Sequence, residues 1–142
     1  MKIAGATVRL RKTWIIAIVL LVFGGVGSAH FHEMRLVWNT IDDEAILVGN
    51  GQGAFVTGPV ECTKGGRVTI RVEVTQGSIS GVGSFRAPCT GDEQDWAATV
   101  VVQGPGKFEP GPATATAWAT VGGRQHVTDE GEWRVDITLV TR

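Results

Sequence analysis

No apolar run in this 142-residue sequence reaches the roughly 20 residues that a bilayer-spanning helix needs. The run from Trp14 to Gly27, "WIIAIVLLVFGGVG", has 14 residues and ends among glycines, which weaken a helix end. No acid precedes it, while Lys2, Arg9, Arg11 and Lys12 make a basic leader. "GSA" at 27–29 places small residues at both positions that a signal peptidase reads. This pattern predicts a hydrophobic signal helix over 1–29, cleaved after Ala29. An uncleaved signal anchor is the alternative, since the basic flank suits both.

A basic excess is also missing. Residues 30–142 carry 9 basic against 14 acidic side chains, a formal charge of −5. That balance argues against nucleic acid as a partner. It equally argues against an anionic membrane surface, leaving membrane association only through residues 1–29 if they are retained. Cysteine is limited to Cys62 and Cys89. In an exported chain two cysteines most simply form one disulfide. Closing that loop would contribute about 3 kcal/mol by the chain-entropy model.

Beyond residue 30 no amphipathic helical pattern occurs. Gly and Pro instead punctuate short Val/Thr/Ile/Ala-rich runs, the signal for strands. In "GRVTIRVEVTQ", Val68, Ile70, Val72 and Val74 share one face, and Thr69, Arg71, Glu73 and Thr75 the other. Gly77-Ser78 predicts a two-residue turn into a strand over 79–87, with residue i opposite 155 − i. In "DWAATVVVQG", Trp96, Ala98, Val100 and Val102 fall on one side. "ATATAWATV" alternates Ala with Thr and leaves Trp118 on the Thr face. "EWRVDITLV" turns Trp133, Val135, Ile137 and Leu139 inward. "EMRLVWN", "EAILVG" and "GAFVTGPVEC" supply weaker strands upstream, and no fixed-period repeat is visible. The expected fold is all-β: an antiparallel two-sheet, Ig-like sandwich of about seven strands, with a small barrel as the alternative. The expected organisation is a signal segment over 1–29, an N-terminal segment with weak strands over 30–52, and the sandwich core over 53–142.

"ECTKGGRVTIRVEVTQG", "GSFRAPCTGDEQDW" and "FEPGPATATAWA" together resemble small secreted bacterial β-sandwich proteins of unknown function. The matching pieces are Cys62-Thr63, Pro88 to Gly91, Pro110 to Ala113 and Trp133 to Val140, within roughly residues 54–142. The resemblance implies an exported compartment and a disulfide-stapled sandwich, and no activity. It does not extend to the immunoglobulin family proper, because no Trp lies between Cys62 and Cys89.

Chemistry-bearing constellations are sparse. Ser28, Ser78, Ser80 and Ser84 lie in no nucleophile elbow, and His126 is the only plausible base outside the N-terminal tail. The acids at 42–44, 92–95 and 129–132 read as solvated faces. They show no EF-hand spacing for Ca²⁺. Cleavage after Ala29 would expose His30-Phe31-His32. The free amine, two amide nitrogens and the His32 imidazole could then chelate Cu(II), with His126 as a further ligand. That layout resembles small copper carriers built as β-sandwiches with an N-terminal His and a late hairpin His. Their Met-rich patch is missing, since Met34 is the only methionine after residue 29. Trp118 is the other candidate: with the Ala face inward, an exposed indole on a Thr-rich face can stack on a sugar ring or anchor a protein, whereas with the Ala face outward Trp118 covers the core. The expectation is a secreted or extracytoplasmic-surface, non-enzymatic binding or structural module. It needs no cofactor and takes an unknown protein or carbohydrate ligand. A copper-binding protein is the competing reading.

Overall fold

The computed structural model describes residues 34–123 and 126–142. The expected signal helix and cleavage site, with His30 and His32, lie outside the described residues.

Eight strands follow one another: β1 (Leu36–Asn39), β2 (Glu44–Val48), β3 (Gly53–Cys62), β4 (Arg67–Gln76), β5 (Ile79–Pro88), β6 (Glu93–Val102), β7 (Gly111–Gly122) and β8 (Val127–Val140). The alternation in β4 behaves as the sequence predicts. Val68, Ile70, Val72 and Val74 are fully buried, and the residues between them face outward. The hairpin to β5 turns on Gly77, whose φ of 59° suits glycine. Its rungs run from Gln76↔Ile79 to Arg67↔Pro88, each pair summing to 155 as expected.

The expected two-sheet, Ig-like sandwich does not form. The sheet closes into a seven-stranded barrel, ordered β3-β2-β8-β7-β4-β5-β6 and back to β3. Two pairings close it. β3 runs antiparallel to β6 from Gly53↔Val101 to Glu61↔Glu93. β2 runs parallel to β8 over Glu44↔Thr138 to Ile46↔Val140. β1 adds a short piece beside the far half of β3, on the edge that β2 uses at the near half. The third requirement is the passage from β5 to β6, where only Gly81↔Val102 and Val82↔Val101 pair. Here β5 lies almost against the β6 backbone: a Cβ on Gly83 would stand 2.5 Å from the Thr99 carbonyl oxygen. Small residues at this corner let one sheet bend into the next where a sandwich would leave two edges. β4, β5 and β6 follow as hairpins with β3 returning beside β6, a Greek-key arrangement.

The interior is narrow, and its residues fit that. Ala113, Ala115, Ala117 and Ala119 of β7 point inward, with Ala45, Ala54 and Ala98. The valines of β3, β4 and β6 fill the rest, and Trp96 and Phe108 are the largest fully buried side chains. Trp96 donates its Nε1–H to Asn39 Oδ1 at 2.9 Å and to the Thr40 carbonyl at 3.3 Å. A buried indole N–H is thereby satisfied. Phe108 comes from the 103–110 connection, whose glycines and prolines read as a plain loop. It crosses from β6 to β7 past β5 and β4 and drops its ring into that end of the barrel.

At the other end, Cys62 and Cys89 are joined as the sequence predicts, with Cα atoms 5.4 Å apart. The Cys89 N–H also donates to the Gly66 carbonyl at 2.8 Å. The bond ties the end of β3 to the start of the β5–β6 connection. Such a bond is consistent with an oxidising compartment.

Candidate ligand-binding face

The outer wall of β4, β5 and β7 carries the most specific arrangement of polar and aromatic groups. Because the Ala face of β7 fills the interior, Thr114, Trp118 and Thr120 fall on the outer face, where Thr116 is covered by its neighbours at 7% exposed. Trp118 is therefore held on the outside, half-buried. Its rung partner on β4 is Arg71, whose guanidinium carbon lies 5.5 Å from the indole centroid. A cation over an indole at an exposed site contributes about 0.5–1 kcal/mol. The pair also fixes the plane of the ring. On the β8 side Trp118 stands opposite Glu132.

The adjacent rung outward along β7 joins Arg86, Thr69 and Thr120 across three strands. Arg86 donates Nε–H to Thr69 Oγ1 at 3.3 Å. One further rung brings Arg67 opposite Pro88 and Gly122. Here, at the disulfide end, the wall opens into a groove of about 730 Å³. Arg67, Thr69, Arg86, Thr120 and His126 line it, and among the described residues no carboxylate does.

The candidates fall as follows. Trp118 sits beside the groove, and His126 is exposed and lines it. Arg67 and Arg86 line the same groove, and their charge works against a cation at His126. Among the described residues no group of three His, Cys, Asp or Glu side chains comes together. The acidic stretches have local structural tasks. Asp129 accepts the Leu36 N–H at 2.9 Å and ties β1 to β8. Asp42 accepts the Thr57 hydroxyl at 2.5 Å. It shares a cleft of about 420 Å³ with Asp95, Phe85 and Trp96 where β5 and β6 part.

The sequence reading missed three things. Trp38 is 39% exposed, because a register shift between Leu36 and Trp38 leaves both Val37 and Trp38 facing water. Phe108 is core. Arg67 and Arg86 belong to one site. For the arginines a signal existed: the 155 − i register puts Arg86 opposite Thr69, one residue pair from Arg67. What brings β7 alongside β4 is the tertiary fold, and no local pattern announces it.

Fold and face define a closed, disulfide-linked β-barrel with an arginine-framed indole on one outer wall. No family model matches the chain, and no curated protein matches it.

Proposed function

We propose that this chain is an exported, non-enzymatic carbohydrate-binding module working outside the cytoplasm, with the outer wall of β4 and β7 as its binding face. The observation that carries this reading is Trp118, held on the wet side of β7 with Arg71 over its ring. The leader over 1–29 and the disulfide support the compartment. On this wall the scale of the apolar surface favours a sugar over a protein. Stable protein interfaces bury about 800 Å² per partner around several apolar anchors. Here one indole stands among Thr, Arg and Glu, which suits the face of one pyranose ring and its hydroxyls.

The test is electrophoresis of the exported protein through native gels cast with neutral or acidic polysaccharides. Retardation by at least one polysaccharide, lost in Trp118→Ala with the melting temperature unchanged, is expected. Unaltered mobility in every gel would overturn the reading.

A further inference from the structure

We propose that the ligand is an acidic saccharide whose oxyanion is received by the groove between Arg67 and Arg86, while its ring rests on Trp118. This rests on the carbohydrate reading above and specifies the chemistry of that ligand.

Charge placement is the first ground. Acids outnumber bases 14 to 9 after residue 29, yet none of the described ones lines this groove. Neither Arg67 nor Arg86 is paired with a carboxylate among the described residues. Two guanidiniums brought together without counter-charges repel one another, and an incoming anion relieves that. Hydrogen bonding is the second ground. Arg86 uses Nε–H on Thr69 and keeps its terminal N–H groups available. A guanidinium held by its Nε is pre-set for the forked recognition of carboxylate, sulfate or phosphate oxygens. The Thr69 and Thr120 hydroxyls, at the neighbouring positions of the same rung, add donors. Spacing is the third. Thr120 lies two residues from Trp118 along β7, about 7 Å away. A ring on the indole therefore places a substituent of its own or of the next sugar unit at the groove.

The surroundings limit the charge density. Glu130 stands opposite Thr120, Glu132 opposite Trp118 and Glu73 opposite Thr116. A densely charged polyanion would run against these carboxylates, so the face takes isolated anions on an otherwise neutral sugar framework.

The experiment compares polymers that differ only in the anion: polygalacturonate against its methyl ester, and lightly sulfated dextran against dextran. The expected result is binding of the charged member at least tenfold tighter than its neutral twin, falling as salt rises. Arg67→Ala and Arg86→Ala should each lose about tenfold on the charged member. Arg86→Lys should recover part of that, having the charge without the fork. Preference for only polygalacturonate or only sulfated dextran would tell a carboxylate from a sulfate ester, either supporting the proposal. Equal binding of charged and neutral polymers, lost in Trp118→Ala but not in the arginine variants, would overturn the anion and leave the carbohydrate reading. Binding of no polymer would overturn both. Arginine-dependent binding that survives Trp118→Ala would keep the anion site and remove the indole from the binding face.

Discussion

The two ends of the barrel are closed by different means. At one, the 103–110 connection spans the opening and Phe108 plugs it, only 1% exposed. The Phe108 N–H donates to the Gly51 carbonyl at 2.8 Å. Gln76 on β4 grips the connection from outside. It accepts from the Glu109 N–H at 2.8 Å and donates to the Glu109 and Pro112 carbonyls. The other end carries a covalent tie. The Cys62–Cys89 bond holds β3 to the β5–β6 connection, and the surface beside it opens into the arginine groove. Plugging by packing uses up the surface around the plug. A covalent tie stabilises without burying its neighbours, and this leaves room for exposed, uncompensated charge.

If that difference holds, the plugged end should be the more sensitive to one truncation. Phe108→Ala removes a fully buried ring and leaves a cavity bounded by strands that cannot all move inward. It should cost about 3–5 kcal/mol, read by urea or thermal unfolding. A loss under about 1 kcal/mol would mean that the connection folds back and the ring is no plug. The tied end should respond less. Cys62→Ala with Cys89→Ala should cost about 2–4 kcal/mol. Much of this acts through the unfolded chain, so the groove should keep its ligand at temperatures where the variant remains folded. Removing both the plug and the tie should give nearly the sum of the two losses, since the ends share no partners.

How much of this was legible follows the range of each cause. The β4–β5 hairpin was readable to the rung, because Gly77-Ser78 fixes the turn and Val68 to Val74 fix which face is buried. The same period of two put the alanines and Trp118 on opposite faces of β7 without saying which face is buried, and the disulfide followed from the cysteine count. Closure was not. It depends on β2 meeting β8 in parallel and on β5 lying against β6 at Gly83, contacts between segments far apart in sequence. Both a sandwich and a barrel bury one face of each strand, so alternation cannot choose between them. Phe108 was hidden for a related reason. Among Gly and Pro a lone apolar residue carries no period, and only the strand order shows that its loop crosses an opening. The groove was half legible: Arg86 could be placed opposite Thr69, whereas Thr120 and His126 arrive with β7 and β8.

The smallest effect distinguishes a plug from a loop that merely happens to be buried. Gln76→Ala removes the side chain that makes three hydrogen bonds to the backbone around the connection, on its solvent side. Alone it should cost about 1 kcal/mol, since water replaces part of what is lost. Its effect should also depend on Phe108. If Gln76 acts by holding the connection over the opening, its grip has little to stabilise once the ring is gone. Phe108→Ala with Gln76→Ala should then cost less than the sum of the two, by at least about 0.5 kcal/mol. Gln76→Ala combined with the cysteine replacements should instead add without a coupling term, because that pair spans both ends. Strict additivity in both cycles would mean that Gln76 stabilises β4 alone, and that Phe108 keeps the barrel end closed without it.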